Sequence, residues 1–175
     1  MIEAVESSLW SSKSAAAATG GTCSVDWYAD GVTINSRDVT PGDLFVAIKG
    51  PKYDGHDFVA NAFEAGASAA VVDRSHGMLG SATPLLEVTN TTLALENLAR
   101  ASRQRSAAKI IAITGSVGKT SLKEALRLVL QKQGTCTVSW GNLNNHWGVP
   151  LSLSRMSANN NFGVFEIGMN HPGEI

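Results

Sequence analysis

The sequence predicts an α/β protein in two parts: a small N-terminal α/β domain over residues 1–105, then, over 106–175, the start of a mostly parallel α/β domain of the phosphate-loop type. Three observations carry that prediction. Apolar runs of strand length (Leu44–Ile48, Ala69–Val72, Leu85–Val88, Ile110–Thr114 and Phe162–Ile167) alternate with segments of helical spacing, the pattern of buried strands joined by helices. The run beginning at Ile110 stops at Gly115-Ser116-Val117-Gly118-Lys119-Thr120-Ser121, and helical spacing resumes at once from Leu122 to Leu130. The polar run Arg103-Gln104-Arg105-Ser106 then marks a boundary, leaving ahead of it enough chain for a small domain with its own core.

Taken in order, Ala15 to Ala18 form a short helix stopped at Gly20-Gly21. Val25 to Ile34 reads as strand and turn, with Asp30-Gly31 as a hairpin turn, and Trp27 suits core packing better than ligand stacking. Pro41-Gly42 turns the chain into the Leu44–Ile48 strand. Asp57 caps a helix that runs to about Ala65 and ends at Gly66, ahead of the Ala69–Val72 strand. Asn90 or Thr91 caps a helix with Leu93, Leu95, Leu98 and Ala101 on one side. Beyond the phosphate loop, Gly134 closes the helix, Thr135 to Ser139 is a strand, and Pro150 sits in the first turn of another helix.

Composition narrows the class. With 14 basic and 15 acidic residues, the chain carries no electrostatic footprint for nucleic acid or a membrane surface, so a protein handling small molecules is expected. Its apolar runs are too short for a membrane span, and the N-terminus has no basic region followed by an apolar one; a cytoplasmic protein is the expectation. Cys23 and Cys136 lie far apart without metal-ligand spacing and read as buried free thiols.

The chemistry is densest at Gly115 to Ser121. Glycines let backbone N–H groups converge on an anion, and a helix N-terminus adds unpaired donors and partial positive charge. Lys119 can reach β- and γ-phosphates, and the Thr120 hydroxyl can sit on Mg²⁺. The general phosphate-loop pattern wants a glycine where Ile113 stands, so the match is to the shorter Thr-Gly-x-x-Gly-Lys-Thr form. Glu166 places a carboxylate inside an apolar run; a buried charge needs a partner, and a divalent cation beside the loop is the obvious one. Ser36 and Arg37 offer a hydroxyl and a planar fork to an anionic ligand, although Arg37 fits a surface ion pair equally well. His56 reads as a satisfied structural histidine, and the Asn-rich Gly141–Trp147 stretch as a loop.

Several motifs stand in one order: Asn35-Ser36-Arg37-Asp38 with Pro41-Gly42-Asp43-Leu44-Phe45 and Ala47, then Asp54-Gly55-His56, Thr114 to Ser121, Gly141 to Pro150, and Glu166 to Glu174. Together they resemble the Mur ligases, from about residue 24 to the end. Asn142-Leu143-Asn144-Asn145 with Gly148-Val149-Pro150, and Glu166-x-Gly168-x-Asn170-His171-x-Gly173-Glu174, resemble the members that add D-alanyl-D-alanine.

The resemblance implies an ATP- and Mg²⁺-dependent amide ligase of three domains, of which this chain holds the first, binding the UDP-muramoyl peptide, and the opening of the second. It implies Ser36 and Arg37 in the uridine-diphosphate region, and Gly115, Ser116, Val117, Gly118, Lys119, Thr120 and Ser121 on ATP. Lys119 and Glu166 are then catalytic, Thr120 and Glu166 hold Mg²⁺, and Asn142, Asn144 and Asn145 line the junction of nucleotide and acceptor peptide. The implied substrates are UDP-N-acetylmuramoyl-tripeptide and D-Ala-D-Ala, with no nucleic acid, no membrane insertion, and a monomer when full length. The chain itself is expected to be catalytically silent. Two other readings stay open: another amide ligase of the folylpolyglutamate type, and a UDP-sugar-peptide binding module without catalysis.

Overall fold

The computed structural model describes residues 8–76, 82–139 and 147–168. The chain forms two compact units, Met1–Leu98 and Ala99–Ile175.

In the first unit, strand β1 (Trp10–Ser11) leads into helix α1 (Ser12–Thr19). Ser11 and Ser14 close a reciprocal capping box, and Gly20 ends the helix at φ 68°, a left-handed conformation that glycine takes without strain. Strands β2 (Thr22–Cys23), β3 (Tyr28–Ala29) and β4 (Gly31–Thr33) follow, then a 3₁₀ turn at Ser36–Asp38 and strand β5 (Asp43–Val46). A second 3₁₀ turn, Gly55–Phe58, runs into α2 (Val59–Glu64), succeeded by β6 (Ala69–Asp73), β7 (Leu85–Val88) and α3 (Thr91–Arg105). The division between the units falls inside α3.

Among the described residues, five strands of this unit form one sheet in the order β2-β7-β6-β5-β4. Only β2–β7 is antiparallel; the other pairs are parallel. All of β5 is buried, as a parallel strand covered on both faces must be. Phe45, Ala70, Val72 and Leu85 pack with Val59 and Ala62 of α2 into one apolar cluster. Asn90 Oδ1 accepts from the Leu93 N–H at 2.9 Å, the expected cap of α3, which buries Ala94, Leu95, Leu98 and Ala99 but leaves Leu93 exposed.

Two expectations fail here. Asp30-Gly31 does not close a hairpin: β3 pairs antiparallel with β1, while β4 pairs parallel with β5, so the dipeptide passes the chain between two sheets. Its glycine serves a close approach instead, since a Cβ on Gly31 would lie 2.1 Å from Asp43 Oδ1. Nor does Asp57 cap α2. A 3₁₀ turn precedes the helix, and Asp54 caps that turn by accepting from the His56 N–H, while α2 itself, with Phe58 at its N-cap, has no side-chain cap.

The second unit contains β8 (Lys109–Ile113), α4 (Lys119–Leu130), β9 (Cys136–Val138), α5 (Gly148–Ser154, with Pro150 in its first turn) and β10 (Phe162–Glu166). Its described strands are all parallel in the order β8-β10-β9, so the strand latest in sequence lies between the other two. Ala108, Met156 and Phe165 form a small core with Ile110 and Leu153 against it. The C-terminal part of α3 belongs here too, with Ser102 Oγ donating to Ser154 O at 3.3 Å.

Cys23 and Cys136 are free, as expected, but half-buried rather than buried. Burial is the main cause that raises each thiol pKa, with Asp26 adding to it at Cys23 and Arg127 opposing it at Cys136. No described helix is long and apolar enough to cross a membrane.

Candidate functional site

The parallel register brings the site together. Glu166, the last residue of β10, pairs with Ile113, the last of β8, so the carboxylate stands at the strand end from which the phosphate loop departs. Ligands of open α/β sheets bind beyond such carboxyl ends. Gly115 at φ 145° and Gly118 at φ 80° take backbone conformations that side chains resist, which fixes glycine at both positions. Gly118 is also the N-cap of α4 and offers that helix no side-chain acceptor. The loop lies open, with Val117 90% exposed. The Lys119 ammonium, on the first residue of α4, folds back to donate to Gly115 O.

One residue into α4, Thr120 Oγ1 donates to Glu166 Oε2 at 3.3 Å. The two residues expected at a metal thus meet, 46 positions apart in the chain. Glu166 is 1% exposed, and its backbone N–H donates to Ser139 Oγ at 2.7 Å. Its charge partner is an unexpected one: Lys123, itself 4% exposed, places Nζ 2.9 Å from Glu166 Oε1. That approach is a charge contact without hydrogen-bond alignment, so Oε1 is left without a hydrogen-bond donor. Nζ also reaches Ser139 O at 3.4 Å and lies 3.9 Å from Glu124 Oε1. Glu124 in turn accepts from Arg127 Nε at 2.7 Å, which holds its carboxyl below the usual range.

A signal for Lys123 was present. Positions 119 or 120, 123, 126 or 127 and 130 share one face of a helix, so Lys123 lies on the face that begins at the phosphate loop, and a carboxylate inside an apolar strand requires a cation. The divalent cation expected as that partner is therefore unnecessary for charge balance. The donor set still fits one: the Thr120 hydroxyl and Glu166 Oε2, which face each other, are hard oxygen ligands. Among the described residues no group of three or more His, Cys, Asp or Glu gathers, so phosphate oxygens and water would have to supply most of the shell.

Ser36 and Arg37 belong to the first unit, on the 3₁₀ turn. Asn35 shapes it: its Oδ1 accepts from the Arg37 N–H at 3.1 Å and its Nδ2 donates to Asp38 Oδ2 at 2.8 Å. Arg37 is exposed, and the described residues give it no ion pair. His56 is structural, as expected. Its Nε2 accepts from the Asp73 N–H at 2.9 Å, so the ring proton sits on Nδ1 facing Asp54 and ties the second 3₁₀ turn to the end of β6. Asn142, Asn144 and Asn145 lie outside the described residues.

Comparison with known proteins decides the family. A model described as "Mur ligase family, catalytic domain" matches residues 29–103, and one described as "Mur ligase middle domain" matches residues 113–174. The chain belongs to the Mur ligase family. Among its curated relatives, the UDP-N-acetylmuramoyl-tripeptide–D-alanyl-D-alanine ligase of Rickettsia prowazekii is 41% identical over 95% of this chain and 37% of its own length. The ligase of the same name from Escherichia coli is 44% identical over 86% of this chain and 32% of its own length. Among solved structures, the Mur ligase MurF of Acinetobacter baumannii superposes with a TM-score of 0.76 at 33% identity, over 94% of this chain and 37% of that one. MurF of Thermotoga maritima, solved in complex with ADP, superposes with a TM-score of 0.61 at 32% identity, over 83% of this chain and 33% of that one. The chain thus spans about a third of the length of the Mur ligases it matches.

Proposed function

We propose that the chain is the substrate-binding domain and the phosphate-loop start of an ATP-dependent ligase that joins D-alanyl-D-alanine to UDP-N-acetylmuramoyl-tripeptide. The observation that carries the reading is the meeting of Thr120 and Glu166 at 3.3 Å where the glycine loop leaves the parallel sheet. The names of the relatives supply the substrates, and the ADP in the Thermotoga maritima structure supplies the nucleotide. With peptidoglycan precursors as substrates the protein works in the cytoplasm, and as a monomer when full length.

In this reading the terminal carboxylate of the tripeptide attacks the γ-phosphorus of ATP. The bond to the β-phosphate oxygen breaks and ADP leaves. The amine of D-Ala-D-Ala then attacks the acyl carbon, phosphate leaves with the acyl oxygen, and the nitrogen loses a proton. The N–H groups from Gly115 to Ser121 cradle the phosphates, and Lys119 leaves Gly115 O to meet the charge that builds between β- and γ-phosphate. Thr120 and Glu166 hold Mg²⁺, which neutralises phosphate charge when bound. Ser36 and Arg37 hold the uridine diphosphate, while Asn142, Asn144 and Asn145 line the junction with the acceptor peptide.

The test is ADP and amide formation by the full-length protein given ATP, Mg²⁺, UDP-N-acetylmuramoyl-tripeptide and D-Ala-D-Ala. Turnover requires all four, and Glu166→Ala lowers it by on the order of 10²- to 10³-fold. ADP release that ignores D-Ala-D-Ala rejects the assigned acceptor.

A further inference from the structure

The Glu166 carboxylate has two differently placed oxygens. Oε2 faces the hydroxyl of Thr120, at 3.3 Å, while Oε1 faces the ammonium of Lys123, at 2.9 Å. Both side chains of the ion pair are buried, at 5% and 0% exposure, so little water screens the pair. The β9 end fixes both members: Ser139 Oγ accepts from the Glu166 N–H and Ser139 O accepts from Lys123 Nζ. Lys123 is thus part of the site's charge, facing one oxygen of the carboxylate while Thr120 faces the other.

We infer that Lys123 is a positioning residue that acts as the built-in cation of Glu166, aiming Oε2 at Thr120 and suppressing capture of a bare divalent cation until a nucleotide triphosphate brings its own negative charge. The inference rests on the reading of Thr120 and Glu166 as the cation site. A divalent cation approaching alone meets a carboxylate already neutralised and the repulsion of a buried ammonium. A cation arriving with a triphosphate meets several further anionic oxygens, and the balance turns in its favour. Lys123 therefore makes cation binding depend on the nucleotide.

The test titrates the 175-residue chain with Mn²⁺, a paramagnetic stand-in for Mg²⁺, followed by electron paramagnetic resonance with and without ATP. Lys123→Met is expected to bind Mn²⁺ alone roughly tenfold more tightly than wild type, the effect of removing one nearby like charge at moderate effective dielectric. Glu166→Gln in the same background abolishes that gain. If wild type and Lys123→Met bind Mn²⁺ alone equally while both bind it with ATP, the inference is overturned and the cation site stands. If neither binds Mn²⁺ even with ATP, the cation site itself falls and takes the inference with it. Thermal unfolding guards against a variant that does not fold. Losing Lys123 strands a buried carboxylate, so Lys123→Met melts lower than wild type, and Lys123→Met/Glu166→Gln recovers most of the loss. A double variant as unstable as the single one means that Lys123 is held for packing alone, and the inference fails.

Discussion

The two units place their candidate chemistry differently with respect to their cores. In the first, β5 is buried throughout and the Phe45–Val59–Ala62–Leu85 cluster is wholly apolar, while Ser36 and Arg37 ride on a 3₁₀ turn that contributes no buried residue. In the second, the described apolar core is small, and the interior holds Glu166 and Lys123. Stability and ligand binding can vary independently in the first unit. In the second they are tied, because the residue that meets a cation also occupies the interior and needs a buried counter-charge.

The largest expected effect is at that tie. Glu166→Ala leaves the Lys123 ammonium buried without its partner, which costs about 3–5 kcal/mol, and this should be read as a loss of slow hydrogen exchange in β8 and β10 with β5 and β6 unaffected. Next comes Leu44→Ala, which opens the first unit's core and costs about 2–5 kcal/mol by denaturant unfolding; protection in β10 should not move. Asn90→Ala removes the acceptor of the Leu93 N–H and costs about 1 kcal/mol. Smallest is Arg37→Ala, which changes unfolding by no more than about 0.5 kcal/mol and yet weakens binding of the UDP-linked tripeptide measured calorimetrically. A large stability loss from Arg37→Ala, or none from Glu166→Ala, would erase the contrast between the units.

Much of this was legible in the sequence because it is local. The phosphate loop announces itself by glycines that a strand-to-helix turn requires, and Gly115 and Gly118 do take positive φ. Leu44–Ile48 and Ala69–Val72 showed as apolar runs, and both are buried in the sheet of the first unit. Pairing partners were less legible, since they are set at long range: Asp30-Gly31 carries hairpin chemistry, but its flanking strands pair with β1 and β5 instead of each other. The same limit hid Lys123. Its spacing on α4 places it on the loop-facing side, but only the parallel order β8-β10-β9 brings Glu166 beneath that helix face. Asp57 was mistaken for a helix cap because it lies inside a 3₁₀ turn, capped by Asp54, that is too short to show a readable periodicity.

The loop from Gly115 to Ser121, together with Glu166, is expected to bind a nucleotide triphosphate through a shared divalent cation. Calorimetric titration of the 175-residue chain with ATP, in Mg²⁺ and then in a chelator, tests it directly when repeated with Thr120→Val and Glu166→Gln. Binding is expected in Mg²⁺ and weakens at least about tenfold in chelator, a difference of about 1.4 kcal/mol, with both variants losing that Mg²⁺-dependent part while keeping wild-type circular dichroism. ATP binding that is indifferent to Mg²⁺ and to both substitutions would contradict it.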